Sequence, residues 1–228
     1  MLINDYYIVL RFCGGEAELE DNNPSHYLYI TEGTVIAQDE ADQTVEVGRF
    51  RLFYIDVWAA VNAGASVFDI FDHTQEICDY YAAIFDVGTL DPSPELRRLF
   101  KDEVWPGNTL ILDRLEILPE FRGYNLGLAM MRRLIERFGA GAAVVAIKPF
   151  PLQREVIRQE EDEWRQKMRL DDFEQNLPRA TARLRRHYGR LGFKLMKGTP
   201  FMFRDAQIAL PDPHKLTSRP VHDKHRDE

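Results

Sequence analysis

Hydrophobic and polar positions along the chain follow two periods. Tyr6–Phe12 is rich in aromatic and β-branched residues and reads as a strand. Gly14, Gly15 and an acidic stretch over 16–23 break it. Residues 27–37 read as a second strand and 45–54 as a third, with a turn over 39–42, the pattern of an antiparallel meander. Helical spacing follows. Residues 74–85 place Ile77, Tyr80, Tyr81 and Ile84 on one face, and residues 93–104 open with Ser93 as N-cap and Pro94 at the first helical position.

The second half is more sharply patterned. Residues 109–118 predict a strand. Residues 125–138 predict a helix with Leu126, Met130, Leu134 and Phe138 on one side, ended by Gly139 and Gly141. The short apolar run 142–147 reads as a buried strand, which makes a βαβ unit with two parallel strands. The charged stretch 152–176 carries Val156, Ile157, Trp164, Met168 and Phe173 and reads as one long helix. Pro178 marks a boundary, and residues 179–191 form a further helix, with Gly192 suited to a left-handed C-terminal position. Strands over 193–196 and 200–204 follow. From residue 211 on, Pro, His and charge without periodicity read as a disordered tail. The expectation is one α/β (α+β) domain over residues 1–210, with a mixed, mostly antiparallel sheet and helices on both faces.

Charge and composition narrow the function. The net charge of −8 on 228 residues disfavours a nucleic-acid partner. No apolar run reaches the length that spans a bilayer, and no charged-then-apolar leader opens the chain. Cys13 and Cys78 read as reduced, buried thiols, and no metal-ligand spacing occurs, so no metal is expected and the compartment reads as cytoplasmic. His214, His222 and His225 sit in the tail as solvated residues.

Candidate chemistry concentrates between residues 115 and 128. A strand ends at Pro119, a polar glycine-bearing turn follows, and a helix starts at once. The first turn of a helix presents unpaired N–H groups and the positive end of its dipole, and small residues let an anion approach them. The turn is not a P-loop, because no Gly-Lys-Ser/Thr follows, and it lacks three-glycine dinucleotide spacing.

Pro119-Glu-Phe-Arg122-Gly123-Tyr124-Asn125-Leu126-Gly127 resembles the acetyl-CoA signature of the GNAT superfamily of N-acyltransferases, Arg/Gln-x-x-Gly-x-Gly/Ala. Arg186-His187-Tyr188-Gly-Arg-Leu-Gly192-Phe193 is similar to that family's late helix-to-strand segment, a Tyr followed by x-x-x-Gly-Phe. The clear resemblance covers residues 109–204. It implies a GNAT-like fold, acetyl-CoA as co-substrate and direct attack of an amine acceptor on the thioester; a non-catalytic CoA-binding sensor or interaction module is the alternative. Main-chain groups of Ile117 and its neighbours would align the pantetheine. The amides of Arg122, Gly123, Tyr124, Asn125, Leu126, Gly127 and Leu128 would hold the pyrophosphate, with Arg122 adding charge unless it is a solvated turn residue. Tyr188 would protonate the leaving thiolate unless it is a core tyrosine. Asp113 or Glu116 would serve as base; each alternatively pairs with Arg114 or sits on the rim. On a regular strand these two carboxylates point to opposite faces, so at most one faces the acceptor unless a bulge intervenes. His187 is expected to point elsewhere. Two departures stand out: Asn125 replaces the family's glycine, which adds a side chain beside the phosphates, and the charged segment 152–176 is an insertion that shapes acceptor choice or forms an interface. A homodimer is compatible with this reading.

Overall fold

The computed structural model describes residues 2–3, 6–12, 23–101, 103–155, 163–213 and 216. Among the described residues eight strands make one sheet: β1 (Leu2–Ile3), β2 (Tyr6–Phe12), β3 (Leu28–Gln38), β4 (Thr44–Ile55), β5 (Thr109–Ile117), β6 (Val144–Ile147), β7 (Lys194–Leu195) and β8 (Met202–Asp205). Their spatial order is β1-β2-β3-β4-β5-β6-β8-β7. Only β5 and β6 run parallel; every other neighbouring pair is antiparallel. The meander and the βαβ unit therefore share one sheet. The β3–β4 turn is held by the Asp39 carboxylate, which accepts from the amides of Ala41 and Gln43. Gly33 permits close approach of the strands: a β-carbon there would lie 2.4 Å from the Phe50 ring.

Helices cover both faces, as the alternating apolar pattern requires. On one face α1 (Val57–Ala63), α2 (Val67–Phe71), α3 (Gln75–Ile84) and α4 (Pro94–Phe100) pack over Phe53, Ile111 and Phe203. On the other, α5 (Leu126–Phe138), Tyr188 of α7 (Leu177–Gly189) and Leu191 just beyond it pack over Leu52, Leu110 and Met202. Along β5 the split is residue by residue: Ile111 enters the first core, Leu110 and Leu112 the second.

Several boundaries differ from the sequence expectation. Helices α1 and α2 were not anticipated; they have seven and five residues, too few turns for a helical period to show. Their caps, Asp56 accepting from Ala59 and Ser66 accepting from Asp69, are the local signals. Helix α4 stops at Phe100, short of 104, because Lys101 takes a left-handed conformation. Pro178 lies inside the first turn of α7 rather than before it, with Asn176 as N-cap accepting from Arg179.

The described residues of 152–176 do not form the one long helix expected there. The described part consists of a 3-10 turn at Leu152–Arg154, a short helix α6 (Glu163–Met168) and a 3-10 turn at Leu170–Asp172, with a left-handed Arg169 ending α6. Its apolar residues do not share one stripe. Trp164 and Phe173 instead reach different parts of the body, as described below. Val156 and Ile157 lie outside the described residues, as do Cys13 and His214, His222 and His225. Of the segment from 211 on, Pro211 accepts a hydrogen bond from Arg132 and Leu216 is buried.

Candidate functional site

The site begins with a fork in the sheet. β5 pairs with β6 only over Thr109–Leu112, against Val144–Ile147. β6 ends there because Lys148 is followed by Pro149, Phe150 and Pro151, and proline supplies no ladder donor. β5 runs on to Ile117, paired with β4 alone. A bulge falls at the parting: Leu52 pairs with Leu112 and Arg51 with Arg114, so Asp113 is the extra residue. Such a bulge bends its strand and resets which face each side chain takes. Leu115 and Ile117 accordingly join Leu110 and Leu112 against the second core.

A cleft of about 410 Å³ occupies the fork. Its walls are Leu115 and Ile117 of β5, the start of α5, the α7 residues Arg183, His187 and Tyr188, and Met168 and Phe173 from the 152–176 segment. At the crotch of the fork lies a second cavity of about 40 Å³. The two adjoin, sharing Leu115, Met131, Phe150, Leu152 and Tyr188.

At the open end of the fork the chain turns into α5 through two left-handed residues, Gly123 and Asn125, with φ of 85° and 57°. Asparagine is the side-chain-bearing residue that best tolerates this conformation. Asn125 is the N-cap, and its carbonyl accepts from Leu128 and Ala129. The amides of Gly123, Asn125, Leu126 and Gly127 make no hydrogen bond among the described residues. Those donors and the helix dipole suit an anion. The Asn125 side chain is tied elsewhere: its Oδ1 accepts from Arg190 Nη1 at 2.9 Å.

Arg122 is neither solvated nor aimed at the turn. Its Nε donates to the Ile117 carbonyl at 2.8 Å, an Nη donates to the Met168 carbonyl, and its guanidinium lies 4.3 Å from the centre of the Phe173 ring. It pins the 152–176 segment to the end of β5. The Ile117 carbonyl, expected to align a ligand, already carries this bond.

Tyr188 lines both cavities, and its hydroxyl has no hydrogen-bond partner among the described residues. Burial pushes its phenol up to about 12, so it stays protonated at neutral pH. His187 does not point elsewhere. It lines the cleft with its Nε2 3.9 Å from where a β-carbon on Gly127 would sit. Consecutive residues on a helix are about 100° apart, and the cleft wall curves far enough around α7 to meet both. Burial, then Arg190 and Arg183, lower the imidazole to about 4, which keeps it neutral.

The two carboxylates part company. Glu116 is buried outside the cleft: Oε1 accepts from Arg114 at 2.8 Å and Oε2 from Trp164 Nε1 at 2.7 Å. Arg114 also bonds Glu155, and Arg49 lies 4.1 Å from the centre of the Trp164 ring. Glu116 therefore docks α6 onto β5. Asp113 pairs with Arg51 at 2.7 Å rather than with Arg114, and it lines the crotch cavity beside Lys148.

The arrangement can hold an anion at the mouth, an extended chain along the unpaired edge of β5, and a reacting group beneath the Tyr188 phenol. Among the described residues no three His, Cys, Asp or Glu side chains gather as metal ligands, and no helix is long and apolar enough to cross a membrane. No protein-family model matches this chain, and a search of curated proteins found no match.

Proposed function

We propose that this protein is an N-acyltransferase of the GNAT type, moving an acetyl group from acetyl-CoA to an amine. The carrying observation is the fork, with free amides of the α5 turn at one end and the unpartnered Tyr188 phenol at the other. The sequence resemblance over residues 119–127 and 186–193 falls on those two ends. Lengths agree as well. From Ile117 to Leu112 the strand rises about 17 Å. A pantetheine arm has about a dozen bonds between pyrophosphate and sulfur and spans about 15 Å extended. Its two amides would pair with main-chain groups along the free edge of β5.

In this reading the acceptor nitrogen attacks the thioester carbonyl carbon, a C–N bond forms and the C–S bond breaks. The amine gives up a proton, and the leaving sulfur takes one from Tyr188. The burial that raises the phenol also raises the basicity of a thiolate formed beside it, so the proton transfer remains matched. Asp113, at the crotch, is better placed than Glu116 to accept the amine proton through water. His187, neutral and beside the turn, leaves the anion site without a titrating charge near pH 7.

A second reading rests on the carboxylates: Glu116 has both oxygens engaged and Asp113 is paired with Arg51. That favours a CoA-binding module without transfer. Calorimetric titration with acetyl-CoA, then an amine screen that reads free thiol, separates the two. Thiol release with one class of amine supports transfer. Tight binding with no turnover on any amine supports the module. Absence of binding by both CoA and acetyl-CoA removes both readings.

A further inference from the structure

The crotch cavity carries an inference about the acyl group, resting on the acyl-transfer reading above. Its floor is apolar, built from Leu112, Met131, Leu134 and Ile147, while Arg51, Asp113 and Lys148 stand on its rim. A cavity needs roughly 10–15 Å³ to hold one water-sized group. At about 40 Å³ the crotch takes about three heavy atoms. A thioester with its sulfur under Tyr188 puts its acyl chain here, because Tyr188 and Met131 line both cavities.

Two walls of the cavity resist a longer chain. Toward the rim, methylenes would displace water from Arg51, Asp113 and Lys148, which is unfavourable for apolar atoms. Toward the floor, Leu112 and Ile147 are held by the last rung of the β5–β6 ladder. Met131 and Leu134 are buried on α5, packed against the sheet. Side chains in such interiors yield little to added methylenes.

We infer that Met131, backed by Leu134, sets acyl-chain length, admitting acyl groups of two to four carbons and rejecting longer ones. Met131 is a specificity-determining residue here; it takes no part in bond making.

The test is a chain-length series. Free CoA and acetyl-, propionyl-, butyryl-, hexanoyl- and octanoyl-CoA are titrated calorimetrically against the full chain. In the wild type, affinity relative to free CoA is expected to hold through butyryl and to fall at least tenfold at hexanoyl. Met131→Ala is expected to raise the hexanoyl-to-acetyl affinity ratio at least tenfold. Leu134→Val, a milder change that keeps the fold if Met131→Ala does not, moves the cutoff by one or two carbons. Octanoyl-CoA binding the wild type as tightly as acetyl-CoA would overturn the inference. So would an unchanged profile in folded variants, while intact CoA binding would leave the acyl-transfer reading standing. If no CoA species binds, the transfer reading falls first and takes this one with it.

Discussion

Strand β5 lives in two surroundings. From Thr109 to Leu112 it has a strand on each side, every side chain is buried, and the residues are Thr-Leu-Ile-Leu. From Asp113 to Ile117 it has β4 on one side only, and it carries Asp113, Arg114 and Glu116. The first end is ordinary sheet interior, where apolar side chains divide between two cores. The second end is an edge in the middle of a sheet, and the molecule manages it as edges are managed elsewhere, with a bulge, charges and a covering segment. Arg122 caps the Ile117 carbonyl, and Trp164 sits on Glu116. Function, on the proposed reading, belongs to the end with the missing partner, because only there does the backbone have hydrogen-bonding capacity to offer a ligand.

The largest effects should separate the two ends. Ile111→Ala, in the fully paired end, is expected to cost about 4 kcal/mol of stability in denaturant titrations, as buried truncations do. Any protein that still folds should bind acetyl-CoA normally. Gly127→Val should do the reverse. A β-carbon there meets Ile117 and Leu115 at 3.5 and 3.8 Å, ordinary contact distances, so the fold should tolerate it to within about 1 kcal/mol. Its branches enter the cleft, and acetyl-CoA affinity should fall by on the order of 10³-fold, about 4 kcal/mol. Loss of stability without loss of binding in Gly127→Val would erase the contrast.

Behind the free end, Glu116→Ala removes the carboxylate that accepts from Trp164 Nε1 and from Arg114. A cost of about 3 kcal/mol is expected. The fluorescence of Trp164, which is buried whereas Trp58 and Trp105 are exposed, should shift to the red. Unchanged stability and emission would mean that α6 does not depend on β5.

At the boundary between the two ends, Tyr188→Phe should slow thiol release by on the order of 10²-fold and leave acetyl-CoA binding intact. Its hydroxyl has no partner to lose among the described residues, so stability should hold. Wild-type turnover in this variant would take the phenol out of the chemistry.

The smallest effect concerns the wall facing the free end. His187 has its pKa lowered to about 4 in the fold against 6.5 ordinarily, so the unfolded chain binds more protons between those values. Stability should be complete above about pH 6.5 and fall as the pH drops toward 4, by on the order of 2 kcal/mol. His187→Asn should flatten that slope. An identical pH profile in the variant would place the sensitivity elsewhere.

Much of the frame was legible beforehand because it is written in local patterns. The three meander strands, the βαβ unit and the Ser93 and Gly192 punctuation each depend on neighbours a few residues apart. Helices α1 and α2 escaped because two turns or fewer do not establish a period. The 152–176 segment misled for the opposite reason. Trp164 and Met168 stand four residues apart, as on one helix face, yet they and the out-of-register Phe173 are apolar to meet different partners: Glu116 and Arg49, the cleft, and Arg122.

By itself, the sequence determined the turn at residues 122–127 and the presence of a tyrosine on a later helix, since glycine, asparagine and helix-start signals act within a few residues. It also held an unread sign of the fork in Pro149 and Pro151, which end β6 beside Leu112. Tertiary structure alone decided which groups meet. The bulge at Asp113 reset the faces of β5, so that Asp113 went to Arg51 at the crotch and Glu116 to Trp164 behind the site. Arg122 became a clamp on Met168 and Phe173, and His187 joined Tyr188 on the cleft wall. These outcomes depend on residues 40 or more positions apart in the chain, and on burial that exists only once both sheet faces are covered.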